Sequence, residues 1–151
     1  MLRLSKLADY AVVVLVRLSQ AAPCQTSPGV SAAVGIPEPT VAKVLKALAT
    51  AGLVSSQRGA RGGYRLAQPL SQISVAAVVT AIDGPIALTA CVKGSSVGCE
   101  AECMCPVRGR WDLVNIAIRE ALSAISLADM AAITPRARVA PAPSLSISPA
   151  E

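Results

Sequence analysis

The sequence predicts a mainly α-helical protein with one small β-hairpin, and three observations support this fold class. Apolar residues recur at helical spacing in several separate stretches of the chain. After the third of these stretches come two short β-prone runs joined by a glycine-rich turn. Apolar residues make up 53% of the chain, but Phe is absent, so the core must be aliphatic. A length of 151 residues suits one domain with an appendage.

The first two predicted helices occupy the N-terminal part of the chain. Apolar residues at helical spacing predict a helix over residues 3–20. A connector that contains Cys24 follows it. Ser27 is then the predicted cap of a short helix over residues 28–35, with proline in its first turn and glycine at its end.

The third helix and the hairpin follow directly. The helix opens at residues 37–40, runs for about a dozen residues and ends before Gly52. Its apolar stripe consists of Val41, Val44, Leu45 and Leu48. Residues 53–57 and 64–67 are the predicted strands, and the glycine-rich segment 58–63 is the turn between them.

The second half of the chain is again helical. Ser74 is the predicted cap of a fourth helix that ends near Ile82, and residues 91–105 form a loop with four cysteines. A long helix is predicted over 106–125, and a short one over 127–132 with Ser126 as its cap. The apolar stripe of the long helix consists of Trp111, Val114, Ile118, Leu122 and Ile125. The proline-, alanine- and serine-rich remainder is predicted to be disordered.

Three helices followed by a two-stranded hairpin is the element order of a winged helix–turn–helix, in which the third helix enters the major groove of DNA. Small and basic side chains lie opposite the apolar stripe of that helix, and arginines surround the hairpin turn. Lys and Thr suit phosphates and base edges, and Arg suits a narrow minor groove. A plain three-helix bundle with a solvated face is the alternative. The candidate DNA-binding residues are Thr40, Lys43, Lys46, Arg58, Arg61 and Arg65.

The charge is divided unevenly along the chain. Residues 1–70 contain eight basic and two acidic side chains, a net charge of +6, while residues 71–131 contain four basic and six acidic ones. This asymmetry favours a polyanion-binding module followed by a second module. We therefore predict a DNA-binding domain at 1–70, a cysteine loop with a dimerisation helix at 71–132, and a tail at 133–151.

Several function classes are disfavoured. The chain contains no His, which excludes Ser–His and Cys–His nucleophile pairs, and we expect no enzyme. The N-terminus does not resemble a secretory signal. The longest strongly apolar run of the chain is far shorter than a membrane-spanning helix, which needs about 20 residues. We expect a cytoplasmic protein with no membrane partner.

Four of the five cysteines lie close together in the sequence: Cys91, Cys99, Cys103 and Cys105. In a cytoplasmic chain such a group favours metal or redox chemistry over structural disulfides. The spacing lacks a Cys-x-x-Cys knuckle, so a zinc ribbon fits poorly, whereas thiolates suit iron–sulfur clusters. Pro106 is expected to place Cys105 at the positive end of the long helix. A redox dithiol and inert cysteines remain alternatives, and Cys24 is expected to serve packing.

These motifs resemble those of the IscR-type (Rrf-two) winged-helix transcription regulators over residues 1–131. Two further segments, at 83–88 and 105–109, resemble the branch that regulates the SUF iron–sulfur assembly system. The segments that resemble the family are Leu4 to Ala11, Pro39 to Lys46, Gly52 to Val54 and Arg58 to Ala67, and the hairpin together with the three-cysteine loop is the specific signature.

The resemblance implies a homodimer that binds double-stranded operator DNA under the control of an iron–sulfur cluster, either 2Fe–2S or 4Fe–4S. The family's three cluster cysteines match Cys91, Cys99 and Cys105. Some members use a His as the fourth ligand, and Arg108 stands at that position here. Other members use an acid from the first helix of the partner chain, which Asp9 matches. Asp9 is therefore ranked first as the fourth ligand and Cys103 second, ahead of Glu100, Glu102 or an external thiol.

Two other function classes stay open. One is a zinc- or thiol-based regulator on the same fold, which metal analysis of anaerobically purified protein would distinguish. The other is an iron–sulfur carrier or assembly scaffold that binds no operator. The arginine-rich hairpin argues against the carrier, because a carrier has no need of it.

Overall fold

The structure, a computed structural model, describes residues 3–20, 24–93, 95, 98–99 and 104–132. Its helices and strands confirm the predicted fold class, mainly helical with one antiparallel hairpin. In chain order they are α1 Lys6–Gln20, α2 Ser27–Val34, α3 Glu38–Thr50, β1 Val54–Gln57, β2 Gly63–Leu66, a 3-10 turn Leu70–Gln72, α4 Val75–Asp83, α5 Trp111–Ala124 and α6 Leu127–Ala131.

Helix caps move two of the predicted boundaries. Helix α1 begins at Lys6 rather than at residue 3, because the Ser5 hydroxyl accepts the backbone N–H of Ala8 at 3.1 Å. The cap of α2 is Thr26 and not Ser27, since Thr26 Oγ1 accepts the N–H of Gly29 at 3.2 Å. The Ser27 hydroxyl instead donates to Glu38 Oε1 at 3.0 Å and joins the start of α2 to the start of α3.

The hairpin, which we call the wing, is joined to the connector between α1 and α2. In the wing Val54 pairs with Leu66, and Gln57 pairs with Gly63. Gln25 forms a β-bridge with Tyr64, and the two backbone N–H···O distances are 2.7 and 2.9 Å. A Cβ on Gly63 would lie 2.7 Å from the carbonyl oxygen of Gln25, so this close approach requires glycine.

The hydrophobic core runs through both halves of the chain. Burial of a leucine side chain contributes roughly 1.5–3 kcal/mol to stability. The buried aliphatic side chains therefore supply the main favourable contribution to folding. One continuous core joins the parts before and after residue 70. The division into domains at that point stays a prediction. The largest fully buried side chains include Leu15, Leu45, Leu48, Ile73, Val78 and Leu127.

The long helix starts later than predicted. It was expected from residue 106, but residues 106–110 form a turn and α5 begins at Trp111. Gly109 adopts the left-handed conformation with φ of +72°, which ends any continuous α-helix through this segment. Cys105 therefore precedes α5 by a whole turn segment, and the expected placement at the positive end of the helix is wrong.

The caps of α4 and α6 are the ones that the sequence predicts. The Ser74 hydroxyl accepts the N–H of Ala77 at 3.2 Å at the start of α4. Ser126 and Asp129 form a reciprocal capping box at the start of α6. Ser74 and Ser126 also form a β-bridge, so the two helix starts are held together. No helix in the described ranges is long and apolar enough to cross a membrane.

Candidate functional site

Helix α3 buries one apolar face in the core and leaves the opposite, polar face on the side of the solvent. Val41, Val44, Leu45 and Leu48 pack into the core, as the sequence predicts. Lys43 and Lys46 are exposed, and Thr40 is half-buried at the start of the same face. We call the face with Thr40, Lys43 and Lys46 the reading face, and the structure leaves both of its lysines accessible.

The wing presents the three predicted arginines beside a tight turn. Arg58, Arg61 and Arg65 are all exposed. Arg65 is partly oriented, since its Nε donates to the Ser55 hydroxyl on the opposite strand at 3.1 Å. At Gly62 a Cβ would collide with the carbonyl oxygen of Gln57, so the tip can turn this closely only with glycine.

Cys24 lies beside the end of β1 that leads into the turn of the wing, and not among the core side chains. Its Sγ is 3.8 Å from Gln57 Oε1, at the end of β1, and the residue is half-buried. The thiol belongs to the same connector that pairs with Tyr64 through Gln25. The placement is consistent with a packing role, and it separates Cys24 in the sequence and the fold from the cysteine loop.

Three predicted cluster ligands are free thiols: Cys91, Cys99 and Cys105 are half-buried and not in disulfides. The Cys91 Sγ lies 3.2 Å from the Thr89 hydroxyl. Among the residues that the structure describes, no three His, Cys, Asp or Glu side chains come close enough to hold a metal ion. Cys103, Glu100 and Glu102, the other candidate ligands of this loop, lie outside the described residues.

Asp9 is exposed on α1 and lies in a different part of the chain from the cysteines. It lines a cleft of about 550 Å³ together with Leu4, Val75 and Met130. None of the three described loop cysteines borders that cleft. Asp9 can therefore join those thiols only from another copy of the chain or after a rearrangement.

Helix α5 binds the backbone that leads into and out of Cys91, a feature that the sequence analysis missed. Asn115 is 3% exposed; its Oδ1 accepts the N–H of Leu88 at 3.1 Å, and its Nδ2 donates to the carbonyl of Ile86 at 3.0 Å. Asp112 Oδ1 accepts the N–H of Lys93 at 2.9 Å. A single Asn at a central position of a helix with an apolar stripe is the only sequence signal for this arrangement.

Comparisons with known proteins identify the family. The family model described as an iron-dependent transcriptional regulator (Rrf2) matches residues 4–133. A helix–turn–helix transcriptional regulator of Mycobacterium tuberculosis (strain CDC 1551 / Oshkosh) is 43% identical over 88 residues, 57% of this chain and 55% of that protein. This chain thus spans about half the length of that curated relative.

Solved structures agree with the family model. The structure of CymR, the global cysteine regulator of B. subtilis, has a TM-score of 0.67 and 25% identity, and the match covers 89% of this chain and 100% of that chain. IscR of T. potens has a TM-score of 0.61 and 27% identity, with 85% of each chain covered. These relatives are transcriptional regulators and not enzymes. The chain therefore belongs to the Rrf2 family of transcriptional regulators.

Proposed function

We propose that this chain acts in the cytoplasm as a homodimeric regulator whose binding to operator DNA responds to an iron–sulfur cluster, and that it controls SUF-type iron–sulfur assembly genes. The single observation that carries the proposal is the attachment of the Cys91 segment to α5 through Asn115 and Asp112. Because these bonds join the thiol-bearing loop to a helix, a change at the thiols is transmitted to that helix. The resemblance to the SUF-regulating branch supports the target genes.

DNA binding is assigned to the reading face of α3 and to the wing. Lys43 and Lys46 would contact phosphates or guanine edges, and Thr40 a phosphate or a thymine methyl group. The exposed arginines of the wing would reach the neighbouring minor groove. Exposure and charge support these roles, because the two lysines and the three arginines are exposed and Thr40 lies half-buried at the start of the same face.

Dimerisation is assigned to α5, whose outer surface stays apolar in the single chain. Leu113 is 75% exposed, and Ile116 and Val114 are more than 40% exposed. Such a set of exposed apolar side chains on one helix indicates an interaction surface, and a second copy of α5 would cover it. A dimer formed in this way would set the distance between two α3 helices, which must match half-sites about 34 Å apart.

The chemistry of the donors fits an iron–sulfur cluster. Cys91, Cys99 and Cys105 offer three uncombined thiols, and thiolates are the ligands such clusters take most often. When bound, the group would supply iron–thiolate bonds that constrain the loop. Asp9 remains the first candidate for the fourth ligand, donated from the partner chain, and Cys103 the second. Asn115 and Asp112 would hold the loop in place for the cluster, since they fix the backbone on both sides of Cys91.

A thiol- or zinc-based regulator on the same fold is the second candidate function. The observation that favours its thiol form is that the described residues gather no three metal-ligating side chains, which a zinc ion would require as well. Quantifying iron, zinc and acid-labile sulfide in anaerobically purified protein separates the two, since the cluster requires iron and sulfide together.

The reading face predicts a steep salt dependence of DNA binding. Replacing Lys43 and Lys46 with glutamine should reduce the slope of log affinity against log salt by about 0.9 per lost phosphate contact, or about 1.8 per bound protomer. Fluorescence anisotropy with a DNA duplex of about 30 base pairs measures it. Arg3→Gln with Lys6→Gln is the matched control, because it removes the same charge from the start of α1. A flat salt response of the unmodified protein would exclude DNA binding through this basic face.

A further inference from the structure

A cleft beside the C-terminal end of α3 carries two cations that the DNA-binding residues above do not include. It has a volume of about 600 Å³ and lies where the end of α3 meets α4 and α5. Lys93 and Arg119 line it, together with the hydroxyl groups of Thr80 and Ser123. No acidic side chain belongs to its described lining. The described lining of the cleft therefore contains two positive charges, no negative charge and two hydroxyl groups.

This cleft continues into the reading face. A second cleft of about 500 Å³ is lined by Lys43, Lys46 and Thr50, and by Thr80 on α4. The two clefts share Ala51, Thr80 and Ala81. Small side chains at the junction leave the surface open. Four cations thus line one continuous groove that begins on α3 and ends on α5.

The position of the two additional cations is set by the same contacts that hold the cysteine loop. Lys93 follows Cys91 by two residues, and its N–H is bound by Asp112 of α5. Asp112, Asn115, Arg119 and Ser123 recur at helical spacing, so they lie on one face of α5. The first two bind the loop backbone, and the last two line the cleft.

We propose that this groove is an additional binding surface for the phosphate backbone of the operator, with Lys93 and Arg119 contacting DNA beyond the segment read by α3 and the wing. The proposal rests on the proposed DNA-binding function. Its partner is the DNA backbone because the groove is continuous with the reading face, is open to solvent and combines cations with hydroxyl groups, which are the side chains that contact phosphates. Sequence-independent affinity, and not base selection, is the expected contribution.

The arrangement couples the cysteine loop to DNA affinity without a separate relay. Lys93 lies between Cys91 and Cys99 in the sequence, and α5 fixes its backbone through Asp112. A change in the cysteine loop that moves residue 93 therefore adds or removes a phosphate contact directly. Part of the regulation is then a change in the number of phosphate contacts, which is measured as a change in the salt dependence of DNA affinity.

The test is the salt dependence of DNA binding by Lys93→Gln with Arg119→Gln in the full chain, measured by anisotropy with a DNA duplex of about 30 base pairs. Two lost phosphate contacts should reduce the slope by about 1.8 per protomer. From 50 to 200 mM salt, the unmodified protein should then lose about 12-fold more affinity per protomer than the variant. The charge-conserving variant Lys93→Arg with Arg119→Lys should restore the original slope.

The outcomes separate this proposal from the proposed function. A slope unchanged from that of the unmodified protein, while Lys43→Gln with Lys46→Gln lowers it, would overturn the additional surface and leave DNA binding by α3 intact. A flat salt response of the unmodified protein would instead overturn the proposed function. Arg3→Gln with Lys6→Gln controls for net charge, and a slope that falls equally in that control would also overturn the proposal. Circular dichroism and size-exclusion chromatography verify that each variant is folded and keeps its oligomeric state.

Discussion

Alanine at Cys91, Cys99 or Cys105 should abolish the visible absorbance of the protein after anaerobic reconstitution with iron and sulfide. Each of these thiols is free and half-buried, and thiolates are the ligands that hold an iron–sulfur cluster. Loss of one ligand from a site with three cysteines leaves too few protein bonds to retain the cluster. Absorption spectra and iron and sulfide quantitation measure the effect.

Cys24→Ala is the matched control for these variants, since it removes a thiol of similar burial that lies beside the turn end of the wing. It should retain the full absorbance. Full absorbance in Cys105→Ala would contradict the ligand assignment. Asp9→Ala and Cys103→Ala then identify the fourth ligand. The substitution that speeds the loss of visible absorbance in air is the one that removes this ligand.

Asn115→Ala should lower the free energy of unfolding by about 2–4 kcal/mol. Asn115 is buried, and its amide satisfies the N–H of Leu88 and the carbonyl of Ile86. Alanine leaves both backbone groups without their partner and opens a cavity beside the segment that leads to Cys91. Urea denaturation followed by circular dichroism measures the change, as a lower midpoint at an unchanged slope.

Glu120→Ala is the control for this substitution, because Glu120 is exposed on the same helix and alanine is a good helix former. It should change stability by no more than about 0.5 kcal/mol. An unfolding midpoint of Asn115→Ala equal to that of the unmodified protein would show that the contact between α5 and the 86–88 segment does not contribute to folding.

The helices of the DNA-binding half followed closely from the sequence, because local signals specify them. Apolar residues of α3 recur with the helical period, so the buried stripe and the exposed lysines could both be predicted. Ser74 and Ser126 were identifiable as caps from residue type alone. The start of α5 was not, because glycine permits the left-handed conformation of residue 109 but does not require it, and the surrounding turn decides.

Long-range pairings could not be predicted in this way. The bridge between Gln25 and Tyr64 joins residues far apart in the sequence, and neither residue type indicates it. The apolar stripe predicted for α5 is only partly buried, since Trp111 and Val114 are more than 40% exposed. One chain offers this helix a single packing surface, and the polar residue Asn115 occupies its buried position.

The candidate site likewise contains features that local sequence signals predict and features that only long-range packing creates. Exposure of Lys43 and Lys46 follows from helical geometry, so the reading face was accessible to sequence analysis. The groove beside it was not, because Lys93 and Arg119 meet α3 only through the packing of α4 and α5. For the cysteine loop, the sequence indicates the ligand type, and the structure adds the hydrogen bonds from α5 that hold it.

The most direct test of a cluster-responsive regulator compares the DNA affinity of one preparation before and after anaerobic cluster loading. The DNA is a duplex that carries the upstream region of the protein's own gene, and a scrambled duplex of equal length is the control. We expect the loaded and unloaded protein to differ at least about tenfold in affinity for the upstream duplex, about 1.4 kcal/mol of coupling, which lies within the usual range of allosteric coupling. Equal affinities and identical footprints for the two forms would contradict the proposed function.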